Sequence, residues 1–280
     1  MSSSRLVILG AGGFVGRAIA AQATNVRSVS SREIDLTTPG AGEKLGGILS
    51  SDDIVVYASA ITPDKGKDVG AFLRNCEMAR QVALAIGKTK VRRVVYLSSD
   101  AVFAEDFPEI TEATLPCPNS LYGTMHLARE QIMEQACTAA GIPLLIVRLC
   151  AIYGPGDTHN SYGPNRFVRM AQTGGPIKLF GQGEEMRPHA HVDDVASIVC
   201  SLIALEATGI VHAIPSPSLS FHAVASIVAS LAQGVEVECA PRSGQPNHKH
   251  FHSKRLEELL PSFRFRDLRD GLAEQREECR

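Results

Sequence analysis

Three glycines near the start of the sequence have the spacing of a phosphate-binding loop. Gly10, Gly13 and Gly16 follow the apolar segment 5–9 and open the amphipathic segment 13–23. In such a turn the first glycine permits a tight bend, the second lets backbone approach a pyrophosphate, and the third lets helix and strand pack closely. The helix N-terminus then offers amide donors to the phosphates. The pattern predicts dinucleotide binding; the alternative is a glycine-rich turn that holds no nucleotide.

The residues after the second predicted strand bear on which dinucleotide this would be. A carboxylate there selects NAD by binding the adenosine ribose, whereas an arginine suits the additional phosphate of NADP. The chain offers Ser30, Ser31 and Arg32, with no carboxylate before Glu33. This favours NADP(H) over NAD(H), although Arg32 could equally be a solvated loop residue. Asp35 is a candidate for contact with the adenine edge.

Two residues that can exchange protons, Tyr122 and His126, stand four positions apart in the segment 121–140, which has helical spacing. On a helix they share one face. An unperturbed tyrosine has a pKa of about 10 and a histidine a pKa of about 6.5. At neutral pH an ordinary histidine is therefore mostly neutral and gives a neighbouring phenolate little electrostatic help.

Short apolar runs alternate with helical segments over the first two-thirds of the chain. The runs are rich in Val, Ile and Leu without polar alternation, which is typical of strands buried on both faces. This alternation predicts an α/β fold with a doubly wound parallel sheet. The segment 153–165 is rich in Gly, Pro and Asn and is predicted to be a loop. The predicted strands are 5–9, 26–30, 53–59, 91–99, 144–150 and 209–214, and the predicted helices are 13–23, 69–86, 121–140 and 191–205.

The composition excludes several classes of protein. With 44% apolar and 21% charged residues and a formal net charge of −2, the chain has no basic footprint for nucleic acid or an anionic membrane surface. Its seven cysteines are scattered without a Cys-x-x-Cys pair, which argues against a disulfide framework or a structural zinc site. Neither a secretory signal nor an apolar run of about 18 residues is visible, so a cytoplasmic location is expected.

Several motifs, in one consistent order, resemble the extended short-chain dehydrogenase/reductase family, the NAD-dependent epimerase/dehydratase group. The resemblance extends over roughly residues 5–273. Its motifs are GAGGFVG at 10–16, YASA at 57–60, Asn75, YLSSDAVF at 96–103, ITEATLPCPNSLYG at 110–123, VRLCAIYGPG at 147–156 and IKLFGQGEEMRPHAHVDDVA at 177–196.

The resemblance implies a Rossmann-type domain with a smaller C-terminal lobe that binds substrate. We expect residues 1–150 and about 190–214 in the first, and 151–189 and 215–280 in the second. It also implies hydride transfer between a nicotinamide and a carbinol or ketone, usually on a nucleotide-linked sugar. A homodimer that pairs through the tyrosine helix is expected by analogy.

The same resemblance assigns catalytic roles. Tyr122 matches the family's general acid or base, and Ser99 matches the residue that hydrogen-bonds the reacting oxygen. His126 stands where the family has a lysine that lowers the tyrosine pKa and grips the nicotinamide ribose. His126 could bind ribose, could replace the ammonium if protonated, or could mark a relic site. The expected cofactor contacts are Gly10, Gly13, Phe14, Val15, Gly16, Arg32, Asp35, Leu36, Ala58, Ser59, Ala60, Asn75, Tyr122 and His126.

Departures from the family pattern narrow the substrate. Ala101 replaces a glutamate of the dehydratases, so 4,6-dehydration is not expected. Ala151 replaces an asparagine that contacts substrate in many sugar-nucleotide epimerases, which weakens the case for a nucleotide sugar. Arg187 matches a position that often binds the substrate diphosphate, and a guanidinium suits that role; otherwise it is a surface ion-pair former. Ser99 and Asp100 complete the expected substrate contacts.

Three hypotheses follow. The first is an NAD(P)-dependent epimerase or reductase of a nucleotide-activated sugar, the second a non-catalytic dinucleotide-binding sensor or scaffold, and the third a reductase of a small non-sugar carbonyl compound. A metal centre is not expected, because His248, His250 and His252 alternate without a local carboxylate or cysteine and are predicted to lie in a polar loop.

Overall fold

The computed structural model describes residues 4–104, 109–157, 159–160, 162–232, 234–242, 244–246 and 248–278. The strands are β1 Leu6–Leu9, β2 Val26–Val29, β3 Ile54–Tyr57, β4 Arg93–Ser99, β5 Leu144–Leu149, β6 Ala151–Tyr153, β7 Ile177–Phe180, β8 Met186–Arg187, β9 His189–His191, β10 Gly209–Ala213, β11 Leu219–Ser220 and β12 Val237–Ala240. The helices are α1 Phe14–Gln22, α2 Ala41–Ile48, α3 Val69–Thr89, α4 Leu121–Ala140, α5 Pro164–Gln172, α6 Val192–Ala204, α7 Phe221–Ala232, α8 Lys254–Leu259 and α9 Leu268–Glu278.

A parallel sheet dominates the first part of the chain. Within the described residues it has six strands in the order β10-β5-β4-β3-β1-β2. The pairings of β1 with β2 and β3, of β3 with β4 and of β4 with β5 are parallel. Because β1 has β2 on one side and β3 on the other, the strand order reverses at β1, and ligands of such sheets bind at that reversal. The predicted doubly wound α/β fold is confirmed.

Among the described residues the chain divides into two compact units. One lies within Met1–Ala104, Leu115–Leu149 and Ala196–His212, and the rest of the described chain forms the other. The cofactor and substrate roles expected for the two parts of the chain remain predictions.

The core of the first unit lies between the sheet and the helices α2, α3 and α4. It includes Val7, Val55 and Val82, all without solvent exposure. Helix α2 was not among the predicted elements, because its sequence AGEKLGGI is rich in glycine and has a low helix propensity. Packing supplies what propensity lacks: Leu45 is completely buried, and the Gly42 amide donates to Gln81 Oε1 at 2.6 Å.

The second unit has its own apolar core, centred on Tyr153, Phe167, Leu179, Val224 and Leu272. The parallel pair β7–β12 and the helices α5, α7 and α9 surround it. The predicted loop 153–165 is too long at both ends, since β6 reaches Tyr153 and α5 begins at Pro164, a residue that suits the first helical turn.

No helix in the described residues is both long and apolar enough to cross a membrane.

Candidate active site

The glycine loop connects β1 to α1 in a compact turn. Gly10 has φ +90°, and a Cβ at this position would lie 2.8 Å from the Ser59 backbone, so only glycine fits. The Gly13 amide donates to the Gly10 carbonyl at 2.9 Å, and Gly13 forms the N-cap of α1. Gly16, Phe14 and Val15 lie in the first turn of α1. The loop lies at the N-terminus of α1, where backbone amides can bind phosphates, and its contact with a cofactor remains a prediction.

The segment after β2 places the residues expected near the adenosine. Arg32 and Asp35 are exposed, and hydrogen bonds from the Thr37 amide and hydroxyl lower the pKa of the Asp35 carboxyl. Glu33 is paired with Arg27. The side chain of Leu36 is buried in the core, which leaves its backbone for a cofactor contact.

The residues after β3 are held by the side chain of Asn75 from α3. Ala58, Ser59 and Ala60 follow the strand and are half-buried. The side chain of Asn75 accepts from the Ile61 amide at 3.0 Å and donates to the Ile61 and Ala71 carbonyls at 3.0 and 3.1 Å. Its geometry is that of a support for the loop, and its contact with a cofactor remains a prediction.

Helix α4, which carries Tyr122, begins with a side-chain cap: Ser120 Oγ accepts from the Gly123 amide at 3.1 Å. Gly123 allows this end of the helix to pack against the turn that follows β4. A Cβ at Gly123 would lie 1.9 Å from the Ala101 carbonyl oxygen, so no other residue fits without moving the helix. The sequence reasoning did not identify Gly123 as functional, although it directly follows Tyr122.

This packing brings Tyr122 to Ser99. Ser99 ends β4, and its Oγ accepts from the Ala101 amide at 3.1 Å and donates to Asp100 Oδ1 at 3.3 Å. Burial is the main influence on the Tyr122 phenol and raises its pKa to about 12, while the charge of Arg129 and a hydrogen bond with Ser99 act in the opposite direction. The serine and tyrosine that the sequence pairs are therefore neighbours.

His126 is buried, with 3% of its surface exposed. Its Nδ1 lies 2.8 Å from the Tyr96 hydroxyl, and the edge of its ring meets the Tyr122 ring with centroids 4.7 Å apart. Burial, and after it the charge of Arg129, lowers the pKa of His126 well below its ordinary value. The imidazole is neutral at physiological pH, which disfavours its use as a substitute ammonium.

Arg129 is the charged residue of this cluster that the sequence reasoning missed. Its guanidinium has no solvent exposure and lies over the rings of Tyr57 and Tyr96, 4.3 and 5.2 Å from their centroids. It donates to the Ser59 carbonyl at 2.6 Å and to Asn75 Oδ1 at 3.1 Å. Its spacing, seven residues after Tyr122, is a signal visible in the sequence, because i and i+7 share a helix face.

Arg187 lies in the second unit, on the short strand β8. Its Nη2 is 2.6 Å from Glu185 Oε1, and the other oxygen of Glu185 receives Arg242 at 2.9 Å. Arg187 thus belongs to a local ion network, and its contact with a diphosphate remains a prediction.

Of the second unit's histidines, His248 and His250 stack with ring centroids 6.3 Å apart. In the described part of the chain, no group of three or more His, Cys, Asp or Glu side chains could hold a metal ion.

The doubly wound sheet, with the glycine loop at its switch point, defines a Rossmann-type α/β protein. The chain belongs to the NAD-dependent epimerase/dehydratase family, whose model matches residues 6–212.

Curated relatives act on nucleotide sugars. A dTDP-L-rhamnose 4-epimerase of Burkholderia thailandensis is 36% identical over 110 residues, which are 36% of this chain and 30% of that enzyme. A dTDP-4-dehydrorhamnose reductase of Mycobacterium tuberculosis is 31% identical over 168 residues, or 55% of this chain and 52% of that enzyme. The matched segments therefore span about a third to a half of these relatives.

Solved structures match over almost the whole chain. MoeE5, solved in complex with UDP-glucose and NAD, superposes with a TM-score of 0.85 at 25% identity and covers 98% of this chain and 97% of its own. A UDP-N-acetylglucosamine 4-epimerase from Methanobrevibacter ruminantium also superposes with a TM-score of 0.85 over 99% of this chain, but at 18% identity the likeness concerns the fold alone.

Proposed function

We propose that the protein is an NAD(P)-dependent epimerase or reductase that acts by hydride transfer at a carbinol or ketone carbon of a nucleotide-activated sugar. The observation that carries this proposal is the Ser99–Tyr122 pair, which the Gly123 contact assembles where β4 ends. Both residues are polar, partly accessible and next to each other, as a general acid or base and the residue that orients the reacting oxygen must be.

The residues of the chain would handle the proton. Ser99 Oγ would hydrogen-bond the reacting oxygen and orient it towards Tyr122. The Tyr122 phenolate would then accept the hydroxyl proton as the carbon is oxidised, and the phenol would return it on reduction. A bound nicotinamide supplies the acceptor or donor of the hydride, and the glycine loop, with no room for a side chain at Gly10, suits its pyrophosphate.

The nucleotide sugar is supported by the relatives. The names of the curated relatives specify dTDP sugars, and MoeE5 was solved with UDP-glucose. Arg187 provides a guanidinium for the diphosphate, and Glu185, shared with Arg242, holds it in place. Ala101 leaves the chain without the carboxylate of the dehydratases, so epimerisation or reduction is the favoured reaction.

For the cofactor we propose a preference for NADP(H), although MoeE5 was solved with NAD. Arg32 is exposed and available to a 2′-phosphate, while the nearby carboxylate of Glu33 is engaged by Arg27. Arg32→Ser should weaken NADP+ binding about tenfold, a difference of about 1.4 kcal/mol, and leave NAD+ binding unchanged. Equal loss for both cofactors would contradict this preference.

We also propose a homodimer that uses α3 and α4. Leu73 and Leu84 on α3 are 59% and 53% exposed, and with Ile132 of α4 they line an apolar groove. Leu73→Glu should turn a dimer into a monomer in analytical ultracentrifugation, because it places a charge in the apolar contact. A wild-type protein that sediments as a monomer would contradict the proposal.

The decisive experiment combines ligand binding with turnover. Melting curves with NAD+, NADP+ and a panel of dTDP- and UDP-sugars identify ligands that stabilise the folded protein. Turnover of the best sugar is then followed by the cofactor's absorbance or by product analysis. Tyr122→Phe should abolish turnover and keep cofactor binding. Activity of the wild type on small ketones that survives Arg187→Ala would instead favour a non-sugar carbonyl reductase, and cofactor binding without turnover would favour a sensor.

A further inference from the structure

Arg129 differs from Arg148, another fully buried arginine of the same unit, in how its charge is paired. Arg148 is equally buried, but its guanidinium forms two hydrogen bonds to the Glu130 carboxylate, at 3.0 and 2.8 Å. Arg129 has no carboxylate within ion-pair distance among the described residues; its partners are a carbonyl, an amide oxygen, the Met125 sulfur and two tyrosine rings. Neutral partners leave its positive charge uncompensated.

An uncompensated buried charge is costly to a fold, and groups with electrostatically perturbed surroundings cluster at functional sites. Aromatic faces and a carbonyl stabilise a guanidinium without cancelling its field. The positive charge of Arg129 therefore stabilises an anion that forms near it, and an ionised tyrosine of α4 is such an anion.

The direction of that field follows from the helix. Tyr122, His126 and Arg129 occupy positions i, i+4 and i+7 of α4, and long side chains on a helix lean towards its N-terminus, which is the end that carries Tyr122. The charge of Arg129 acts to lower the pKa of Tyr122, and it also acts to keep His126 neutral. The two effects have one source, because a cation favours a neighbouring anion and disfavours a neighbouring cation.

We therefore assign His126 a packing role and no charge. Its ring fills the space between Tyr96, which holds Nδ1 at 2.8 Å, and Tyr122, whose ring it meets edge-on. A neutral imidazole in this place fixes the Tyr122 ring without contributing charge.

We propose that Arg129 is the positioning residue whose fixed charge stabilises the Tyr122 phenolate in place of a lysine at position 126, and that His126 serves as a neutral packing partner of the Tyr122 ring. The proposal rests on the proposed function only in taking Tyr122 as the acid–base residue. The electrostatic relationship itself can be measured without turnover.

The test uses a fluorinated tyrosine placed at position 122, whose phenol is more acidic than that of tyrosine and reports its ionisation by fluorine NMR. The titration midpoint should rise by about one pH unit in Arg129→Met, as expected for loss of a neighbouring charge. It should stay near the original value in Arg129→Lys, which keeps the charge, and in His126→Gln, which replaces one neutral group by another. A midpoint that rises in His126→Gln and not in Arg129→Met overturns the proposal.

A rescue experiment addresses catalysis and folding together. In Arg129→Met the acid limb of the pH–rate profile should move to higher pH, and His126→Lys in the same protein should move it back. Melting temperatures of all variants separate loss of folding from loss of charge, and Arg129→Lys supplies the comparison if Arg129→Met unfolds. If no variant, including the wild type, turns over any sugar, the proposed function fails, whereas the fluorine titration still decides the role of Arg129.

Discussion

The hydroxyl of Tyr96 lies 2.8 Å from Nδ1 of His126, inside the first unit and away from solvent. This contact ties the strand β4, which carries Ser99 at its end, to the helix α4, which carries Tyr122. It also provides a hydrogen-bond partner for one nitrogen of a buried imidazole. The position of His126 is therefore determined by a residue 30 positions earlier in the sequence.

This relationship predicts a difference between two neighbouring tyrosines. Tyr96→Phe leaves Nδ1 of His126 without a partner and should lower the free energy of unfolding by about 1–2 kcal/mol. Tyr57→Phe is the matched comparison, because both rings lie against the guanidinium of Arg129 and only the Tyr96 hydroxyl lies at hydrogen-bond distance from His126. Urea unfolding of both variants measures the two values. Equal losses would show that the Tyr96–His126 hydrogen bond contributes nothing of its own.

Gly123 should be essential for the geometry of the Ser99–Tyr122 pair. Gly123→Ala forces a Cβ to within 1.9 Å of the Ala101 carbonyl, so the start of α4 must move away from the turn. A misplacement of a reacting group by about 1 Å can lower kcat by about a hundredfold. Gly87→Ala is the control: it lies in α3 with no atom within 4 Å of the added Cβ and should raise stability by about 0.5–1 kcal/mol. Full activity in Gly123→Ala would mean that the contact does not position Tyr122.

The buried ion pair of Arg148 and Glu130 should be far more sensitive than an exposed one. Both side chains are about 98% buried, and Glu130 also accepts from Ser98 Oγ at 2.5 Å. Glu130→Gln leaves the guanidinium of Arg148 without its counter-charge, and we expect a loss of about 3–5 kcal/mol in the free energy of unfolding. Arg80→Gln, which breaks the exposed pair with Glu77, should lower the free energy of unfolding far less, because solvent screens an exposed pair. Chemical denaturation of the two variants side by side provides the comparison.

Stability should fall in acid because of buried neutral histidines. Burial, and after it the charge of Arg148, lowers the pKa of His212 to about 3, whereas an unfolded histidine has a pKa of about 6.5. Below that value the unfolded chain binds the extra proton and the folded chain does not, so stability decreases as the pH falls from about 6.5 towards 3, by up to about 1.4 kcal/mol per pH unit.

Replacing this histidine should flatten the dependence. His212→Gln removes the group that titrates only on unfolding, so the change in unfolding free energy between neutral and acidic pH should become smaller than in the wild type. His222→Gln is the control, because its ring is exposed and solvated in both states. An unchanged slope in His212→Gln would contradict the assignment.

The candidate site separates into residues visible in sequence and residues that only the packing reveals. The glycine loop and the Tyr122–His126 spacing are local patterns, and the structure places them on the predicted turn and helix. Arg129 and Gly123 are equally close in sequence, but their importance arises from contacts with Tyr57 and Ala101 on other elements. A sequence pattern contains no information about such partners.

The same distinction holds for the fold. The six strands of the parallel sheet were predicted because buried parallel strands read as apolar runs, a signal contained in four to seven adjacent residues. Helix α2 has no such signal, since its glycine-rich sequence becomes helical only against α3. Helix α7 lies in a region without a single clear pattern, where its apolar residues face a core assembled from distant segments.

The amino-acid pattern alone therefore identified the six strands of the parallel sheet, four of the helices, the family motifs and the residues able to exchange a proton. The protonation state of those residues was decided by the tertiary structure. The charge of a histidine in place of a lysine cannot be read from the sequence, because the pKa of histidine in water lies near neutrality. Burial beside Arg129 removes the ambiguity, since a low-dielectric site next to a fixed cation excludes a second positive charge. The positive charge of the site is supplied one turn further along the helix.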